Sequence, residues 1–355
     1  MPSNASIRAI SYYLPEQIVS NDDLSALFGD WTPQRIYETT GIKNRRSSAW
    51  DEIASDCAVK AAHNLFHEHQ ITPEEIDYLL FCTQSDDYGS PTTACVIQHR
   101  LCLRKNIGAI DINQGCTGFI HGLSIAKGLL AAHICRNVLL LTSETLTKYI
   151  HPLDKSTRLL FGDAGAATLI EPKNTNDANN KANHSNDNDN SNHIGIGNFV
   201  LGTDGSGSHV MITRNRGLRH PFTHQTAIDY ADEYGNVKND AYFSMDGIKA
   251  FAFALRCVPP LFEAILQKHQ LKSADIDLFI FHQANGYILE ALRKKLNIPT
   301  EKFFLYIEQV GNTVSSSIPI ALYEAKRCGK IQAGHKIMLL AFGVGLSWGG
   351  TIYWA

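Results

Sequence analysis

Two stretches of the chain repeat one order of apolar and polar positions. Residues 53–65 and 251–266 carry apolar residues at helical spacing, and each stretch leads through a polar turn into a short apolar run. Residues 69–81 read HQITPEEIDYLLF, and residues 269–281 read HQLKSADIDLFIF. The pattern therefore predicts a helix followed by a buried strand in both places.

The similarity continues along the chain. Residues 110–117 read IDINQGCT and residues 306–313 read YIEQVGNT, which predicts a strand, a glycine-containing turn and a helix in each copy. Further on, VLLLT at 138–142 matches IMLLA at 337–341. The matches keep their order at an offset close to 200 residues, so we interpret them as an internal duplication.

Alternating helices and near-continuous apolar strands are typical of sheets covered by helices on both faces. Two such units packed together predict an α/β fold with the layer order α/β/α/β/α. We expect the halves to span residues 1–172 and 194–355. Residues 173–193 are rich in Asn and Asp and almost free of apolar residues, which predicts a mobile surface loop rather than a binding tract.

Composition narrows the class of protein. The 355 residues are 44% hydrophobic, enough for a large core or two fused units. A formal charge of -3 gives no basic surplus for nucleic acid or an anionic membrane surface. We find neither a signal peptide nor a membrane-spanning run and expect a cytoplasmic protein. The 8 cysteines include no C-x-x-C pair, and we expect most to be buried free thiols.

The duplication also nominates a site. Cys116 and Asn312 occupy equivalent turns of the two copies, and His282 follows the repeated strand of the second copy. Open α/β sheets place ligands at the carboxyl ends of their strands. We therefore expect these three side chains, distant in sequence, to meet in one pocket between the halves.

Each of the three residues has a simpler interpretation. Cys116 could be a structural thiol, but it follows a glycine turn at a helix start, where the helix dipole is expected to lower its pKa. A lone His282 at a strand end would more often be satisfied by backbone. Asn312 could only cap the next helix, since Asn is a preferred N-cap residue. The matched turns favour the functional interpretation of all three.

Three histidines form a separate candidate. His63, His67 and His69 lie close together on a predicted helix, and histidines at such spacing can bind zinc. No carboxylate pattern with metal-site spacing accompanies them. We expect a solvated helix face, and we predict neither a metal nor a cofactor.

The motifs as a set resemble those of the β-ketoacyl-acyl-carrier-protein synthase III family of the thiolase-fold superfamily. They are, in order, SYYLPEQIVSNDDL, TTGIKNRR, DINQGCTGF, FGDAGAATLI, FHQAN, GNTVSSSIPIAL and AFGVGLSWGGTIYW. The resemblance implies a thiolase-like five-layered fold and a homodimer. It implies decarboxylative Claisen condensation of an acyl thioester with malonyl-acyl carrier protein, in fatty-acid or specialised acyl or polyketide biosynthesis.

The resemblance also implies residue roles. Cys116 would take the acyl group from an acyl-CoA or acyl-carrier-protein donor. His282 and Asn312 would hydrogen-bond the malonyl thioester carbonyl and stabilise the enolate formed as carbon dioxide leaves. The backbone N–H groups of Cys116 and Gly345 would form the oxyanion hole, a device in which each donor is worth about 3–4 kcal/mol of transition-state stabilisation.

Several positions depart from the family's pattern. Arg35 stands where the family has a Trp that stacks on the adenine of coenzyme A, and Lys155 stands for an Arg that contacts the nucleotide. Ser90 replaces a bulky aromatic residue that limits the primer pocket, and Gly286-Tyr287 replaces an Arg used near carrier protein. These changes favour a specialised member that accepts a larger or unusual acyl group.

Other contacts follow the pattern more closely. Phe161, in FGDAGAATLI, joins the expected substrate contacts. A basic patch of Arg293, Lys294 and Lys295 is suited to an acidic acyl carrier protein.

The sequence alone leaves other functions open. An acyltransferase of the same fold would pass the acyl group to an amine or hydroxyl without decarboxylation, and its first half-reaction would be identical. A thiolase would need a second Cys in AFGVGLSWGG, which has none. A cysteine hydrolase also orders Cys, His and Asn, but the local C-G-S-C-W context is missing. A non-catalytic scaffold would be expected to lose one of the three residues.

Overall fold

The computed structural model describes residues 5–173 and 195–355, so all of the predicted 173–193 insert except Lys173 lies outside the described residues. The helices are α1 (Asn21–Phe28), α2 (Pro33–Thr40), α3 (Ala54–His69), α4 (Thr93–Arg100), α5 (Gly118–Ala131), α6 (Lys155–Arg158), α7 (Gly247–His269), α8 (Gly286–Lys295) and α9 (Ser317–Arg327). The strands are β1 (Ala5–Tyr13), β2 (Gln17–Ser20), β3 (Asn44–Ser47), β4 (Tyr78–Cys82), β5 (Gly108–Ile112), β6 (Val138–Glu144), β7 (Ala164–Pro172), β8 (Gly195–Ile196), β9 (Val200–Thr203), β10 (Met211–Thr213), β11 (Tyr230–Ala231), β12 (Val237–Lys238), β13 (Phe243–Met245), β14 (Leu278–Phe281), β15 (Lys336–Gly343) and β16 (Ser347–Trp354).

The repeated sequence patterns form repeated structure. The predicted helices lie in α3 and α7, and the runs that follow them form β4 and β14. Both helices end at a glutamine in the left-handed conformation, Gln70 with φ 51° and Gln270 with φ 55°. The predicted pair at 138–142 and 337–341 lies in β6 and β15. These parts of the duplication are confirmed.

The prediction of a strand at the start of residues 306–313, equivalent to β5 in the first half, is wrong. Only a single parallel bridge forms there, between Phe279 and Phe303. The next backbone N–H available for a ladder, that of Tyr306, donates instead to the side-chain oxygen of Gln283 at 2.8 Å. The Gln283 side chain therefore takes the place of a neighbouring strand as the hydrogen-bond partner of the Tyr306 N–H.

The two large sheets have matching strand orders. The first runs β1-β7-β6-β4-β5, with β4 parallel to both β5 and β6 and with β7 antiparallel to its neighbours. The second runs β14-β15-β16, with β14 parallel to β15 and with β8 and β9 pairing antiparallel along the far side of β16. Both sheets are mixed, and each draws its strands from one predicted half.

Alternating side chains give the sheets two buried faces. In β4, Leu80 joins an inner cluster that also contains residues of α5, α9 and the second sheet. Its neighbours Leu79 and Phe81 join an outer cluster with α3 and α4. In the second sheet, Phe279 and Phe281 pack outward against α7 and α8. The layers therefore follow one another as helices, sheet, shared helices, sheet and helices. This is the predicted α/β/α/β/α arrangement.

The expectation for the cysteines holds only in part. All eight are free thiols, but only Cys57, Cys82 and Cys116 are buried. Cys95 and Cys102 are exposed, because they lie on or just after α4, which covers the outside of the first sheet, and Cys328 is exposed at the C-terminal end of α9. Within the described ranges, no helix is long and apolar enough to cross a membrane.

The shared helix layer predicts where stability is concentrated. Leu123 on α5 is fully buried between the sheets. We expect Leu123→Ala to lower the free energy of unfolding by about 2–5 kcal/mol, because it removes buried apolar area and leaves a cavity. Urea unfolding at fixed protein concentration measures the change. The control Ile134→Ala removes an exposed side chain and should cost less than about 0.5 kcal/mol; equal losses in the two variants would contradict the layer assignment.

Candidate active site

Cys116 lies in the turn between β5 and α5. Its side chain is buried and packs in a small apolar cluster with Ile150, Phe161 and Val314. Gly343, the last residue of β15, lies against it: a Cβ built there would come within 2.7 Å of the Cys116 sulfur. A side chain at position 343 would therefore displace the thiol, which explains a glycine at this point of the buried strand.

His282 follows β14 directly and is almost completely buried. Its Nδ1 is 2.7 Å from the hydroxyl oxygen of Ser317, the first residue of α9, and this contact fixes the ring plane. The backbone of Val314 lies near the ring as well. Burial lowers the pKa of His282 to about 3, so the imidazole is neutral at physiological pH.

Asn312 is held at both ends of its side chain. Its Nδ2 donates to the carbonyl of Ala284 at 3.1 Å, and its Oδ1 accepts from the N–H of Val314 at 2.9 Å. Its backbone also forms a parallel bridge with Phe161. The oxygen thus makes the short-range turn contact that is typical of Asn, while the amide group retains a second N–H for another acceptor.

The three predicted residues come together. Cys116, His282 and Asn312 all line one cavity of about 850 Å³, together with Phe161. They reach it from the ends of β5 and β14 and from the turn before α9, as the duplication predicted. The residues that meet are a thiol, a neutral imidazole and a carboxamide.

A second cavity, of about 610 Å³, adjoins the first. It also touches Cys116 and Phe161, but neither His282 nor Asn312 lines it. Ser90, which the sequence placed near the primer, lines this second cavity. Cys116 therefore lies between two cavities, one lined by His282 and Asn312 and one that lacks both.

The expected nucleotide position contains an aromatic ring that sequence analysis missed. Arg35 lies in the 850 Å³ cavity, and its guanidinium carbon is 4.2 Å from the centre of the Trp31 ring, which lines the same cavity. Trp31 lies in the loop just before Thr32, the N-cap residue of α2, and Arg35 lies in the first turn of that helix.

Two basic predictions differ in their outcome. Lys155 lines the 850 Å³ cavity but is paired with Asp30 at 3.0 Å. The predicted patch of Arg293, Lys294 and Lys295 lies in the last turn of α8, whereas α8 meets the cavity at its first turn. Arg293 and Lys294 are paired with Glu290 at 2.7 and 3.4 Å, so the patch carries less free positive charge than expected.

The expected low pKa of Cys116 is wrong. Burial raises the pKa of the thiol to about 11. The backbone N–H groups of Val344 and of Cys116 itself act in the opposite direction, while the charge of Glu144 adds to the increase. Desolvation is the largest of these effects, because the thiol is buried two residues before α5 begins at Gly118.

The same contacts bear on the oxyanion hole. The sequence assigned one of its donors to Gly345, but the N–H beside the Cys116 sulfur is that of Val344, one residue earlier. Gly345 itself has a φ of 134°, a conformation that suits glycine and turns the chain after Val344. The glycine thus shapes the turn that directs the preceding N–H toward the sulfur.

The candidate zinc histidines make ordinary contacts. His69 Nε2 is 3.2 Å from the carbonyl oxygen of Ile10, and the His63 ring lies edge-on to Phe66 with ring centres 6.4 Å apart. Residues 5–173 and 195–355 contain no group of three or more potential metal ligands.

Comparison with known proteins identifies relatives along the whole chain. Residues 110–205 match the family model for 3-oxoacyl-[acyl-carrier-protein (ACP)] synthase III, and residues 266–354 match the model for its C-terminal part. The chain is 35% identical over 356 residues to the beta-ketoacyl-[acyl-carrier-protein] synthase III of Clostridium tetani, covering 98% of each chain.

Solved structures show the same similarity. A crystal structure of a 3-oxoacyl-(acyl-carrier-protein) synthase III superposes with a TM-score of 0.92 at 41% identity, covering 99% of this chain and 100% of that one. The synthase III of Thermus thermophilus gives a TM-score of 0.82 at 32% identity, covering 99% of both chains. The fold of this chain is therefore thiolase-like, with two halves built on mixed sheets.

The raised pKa of the Cys116 thiol predicts its reactivity toward a small alkylating reagent. Between about pH 7 and about pH 10, the alkylation rate of Cys116 in the folded protein should rise roughly tenfold per pH unit, because only the thiolate reacts. Mass spectrometry of the Cys116 peptide measures the rate. In the denatured chain the rate should level off above the ordinary thiol pKa of about 8.5; a plateau below about pH 8.5 in the folded protein would show an activated thiol instead.

Proposed function

The chain belongs to the 3-oxoacyl-[acyl-carrier-protein] synthase III family, and from this we propose how its residues carry out the family's condensation. It is an acyltransferase of fatty-acid biosynthesis that joins an acyl group to a malonyl thioester with loss of carbon dioxide. One observation supports the assignment of roles most directly: the buried Cys116 thiol lines two cavities, and only one of them is also lined by His282 and Asn312.

We propose that acylation begins in the 850 Å³ cavity. The donor's thioester arm passes Trp31 and Arg35, and the Cys116 sulfur attacks the thioester carbonyl carbon. The carbonyl oxygen becomes negative and accepts hydrogen bonds from the N–H groups of Val344 and Cys116, which replace the Cys116 and Gly345 pair expected from sequence. The carbon–sulfur bond of the donor then breaks, and its thiol leaves with the proton from Cys116.

The acyl chain then occupies the 610 Å³ cavity. The malonyl thioester needs the space beside His282 and Asn312, so the acyl group attached to Cys116 must lie on the other side of the sulfur. The residues nearest the sulfur on that side are apolar, including Phe161, Val314 and Leu146. This environment suits the first carbons of an acyl chain.

Condensation uses the two neutral donors. As carbon dioxide leaves the malonyl group, its bonding electrons form an enolate whose oxygen accepts hydrogen bonds from His282 and from the free N–H of Asn312. The enolate carbon attacks the acyl carbonyl carbon, the bond between that carbon and the Cys116 sulfur breaks, and the released thiolate takes a proton from water. No strong base is required, since decarboxylation itself supplies the electron pair, which is why a histidine with a low pKa is suitable.

We infer that acyl-CoA and malonyl-acyl carrier protein are the substrates. Trp31 and Arg35 present an aromatic face and a guanidinium at the cavity, which a stacked adenine ring can use. The missing Trp at position 35 therefore does not argue against coenzyme A as the donor. Arg293, Lys294 and Lys295 remain candidates for contact with carrier protein, with Lys294 largely exposed.

We also infer a homodimer through the outer strand of the first sheet. β5 pairs with β4 on one side, and the described residues supply no strand on its other side. Ile110, in the middle of β5, is 40% exposed. Unpaired strand edges with apolar side chains promote strand pairing with another chain, and the β5 of a second copy is complementary to this edge.

Two substitutions separate the half-reactions. Cys116→Ala should abolish both the acyl adduct and condensation. His282→Ala should leave acylation of Cys116 close to the parental rate but slow decarboxylation of malonyl-acyl carrier protein by about 10²-fold or more, because it removes a donor to the enolate. Intact-protein mass spectrometry measures the adduct, and release of carbon dioxide measures the second step.

The control is His63→Ala, which removes an exposed histidine from α3. Unchanged carbon dioxide release in His282→Ala would refute the proposed role of His282. An acyl adduct that reacts with amines or alcohols, with no carbon dioxide released from malonyl substrate, would instead support the acyltransferase alternative.

The dimer proposal has its own test. Ile110→Asp places a charge in the middle of the proposed contact and should shift the protein from dimer to monomer in analytical ultracentrifugation, because like charges then face each other across the interface. Ile134→Asp, at another exposed position, should leave the sedimentation coefficient unchanged. A parent protein that sediments as a monomer would contradict the proposed dimer.

A further inference from the structure

Two buried hydroxyl groups connect the turn that carries Cys116 to the turn that carries Val344. The hydroxyl oxygens of Thr117 and Ser347 are 2.8 Å apart. Thr117 directly follows Cys116 in the first half, and Ser347 begins β16 in the second half. Both residues are almost completely buried, at 0% and 1% exposure. The pair therefore joins the two halves by a hydrogen bond one residue from the nucleophile.

The position of Thr117 suggests a different use of its hydroxyl from the one observed. Thr117 is the N-cap residue of α5, and a threonine at that position usually accepts a hydrogen bond from a backbone N–H in the first turn of the helix. Within the described helix, the Thr117 hydroxyl makes no such capping bond. It meets Ser347 instead. Helix capping therefore does not explain this hydroxyl.

The direction of the hydrogen bonds follows from the number of protons. The Ser347 hydroxyl donates to the carbonyl oxygen of Val344 at 2.7 Å. A hydroxyl has one proton to donate, so Ser347 must accept the bond that joins it to Thr117. The Thr117 hydroxyl is thus the donor at the start of the series, and the Val344 carbonyl is the acceptor at its end. Val344 is held through its carbonyl while its N–H lies beside the Cys116 sulfur.

The turn between β15 and β16 also has an anchor in the second half. The N–H and the carbonyl oxygen of Leu346 exchange hydrogen bonds with the backbone of Asp204, at 3.1 and 2.8 Å. These bonds shape the turn but do not orient it toward Cys116. The hydrogen bond from Thr117 to Ser347 adds a directional connection to the first half. Because the anchor at Leu346 is separate, the turn should stay folded when a hydroxyl is removed.

We propose that Thr117 and Ser347 are positioning residues that hold the Val344 N–H in place to stabilise the negative oxygen of the reacting thioester. The inference rests on the proposed function, because that oxygen becomes negative only if a thioester reacts with the thiol. A donor that is fixed before the charge forms needs little reorganisation, and removing one such donor typically slows a reaction by about 10²–10³-fold. A displaced donor keeps part of its effect, so we expect a smaller loss when the hydroxyl pair is broken.

The first test replaces the threonine by a residue of similar shape without a hydroxyl. We expect Thr117→Val to slow acylation of Cys116 by about tenfold or more, which is part of the effect of removing an oxyanion donor. Thr117→Ser keeps the hydroxyl and should restore most of the rate. Intact-protein mass spectrometry measures the rate with the most reactive of acetyl-, butanoyl- and octanoyl-CoA, and urea unfolding measures stability.

Thr142→Val is a matched control. The hydroxyl oxygens of Thr142 and Ser316 are 3.1 Å apart and also join the two halves, and Ser316 donates to the Thr142 carbonyl at 2.9 Å. The arrangement of threonine hydroxyl, serine hydroxyl and backbone carbonyl is the same, but the carbonyl is not that of Val344. Thr142→Val should lower the urea midpoint about as much as Thr117→Val, because each breaks one buried hydroxyl bond. Its acylation rate should stay close to the parental rate.

Alkylation of Cys116 distinguishes a positioning role from a loss of packing. The Val344 N–H acts to lower the pKa of the thiol. Its displacement in Thr117→Val should therefore slow alkylation at pH 8 by about threefold or more. A merely loosened turn would expose the thiol and speed the reaction. Ser347→Ala should also slow alkylation, and the double variant should be little slower than Ser347→Ala alone, because the two hydroxyls act as one unit.

Parental acylation rates in both Thr117→Val and Ser347→Ala would overturn the proposal. Faster alkylation in either variant, or an equal loss of acylation in Thr142→Val, would overturn it as well. If one of the two variants fails to fold, the other decides. If no donor acylates Cys116 in the parent protein, the proposed function fails, and the alkylation rates still show whether the hydroxyl pair positions the Val344 N–H.

Discussion

The site depends on one packing constraint: a single helix layer, α5 and α9, is buried between two sheets and must fit both. Helix α5 comes so close to β4 that a Cβ at Gly118 would lie 2.3 Å from the sulfur of Cys82. Where α9 begins, Ser316 donates from its hydroxyl to the carbonyl of Thr142 in the first sheet at 2.9 Å. The starts of both helices are thereby fixed against the first sheet. Cys116 lies two residues before the start of α5, and Asn312 lies five residues before the start of α9.

The same burial determines the charge state of the site. Removing water raises the pKa of Cys116 and lowers that of His282, so thiol and imidazole are both neutral before substrate arrives. Charge then develops only on substrate oxygens during the reaction, next to N–H groups already held in place by Ser317 on one side and by the Val344 turn on the other. Fixed neutral donors of this kind need little reorganisation when the charge forms.

The sequence could predict the features that depend on repetition. The layer order and the meeting of Cys116, His282 and Asn312 follow from equivalent positions in two copies, because parallel strand ends share one edge of a sheet. Trp31 was missed because its contact with Arg35 depends on a loop before a helix. The shift from Gly345 to Val344 depends on backbone dihedrals in a turn, which composition does not determine. The pKa of Cys116 depends on how deeply the thiol is buried, and no local sequence pattern indicates that depth.

The charges around the two cavities indicate how substrates are distinguished. Three of the cations that line them are paired with carboxylates: Lys155 with Asp30, Lys238 with Asp232 and Arg216 with Asp86. Paired cations contribute less long-range attraction than free ones, so general positive charge is a weak basis for recognition here. Arg35 differs, because it contacts the Trp31 ring and donates to the backbone carbonyl of Asp30 at 3.2 Å, not to a carboxylate. Donor recognition would then rest on stacking against the Trp31 and Arg35 side chains rather than on general positive charge.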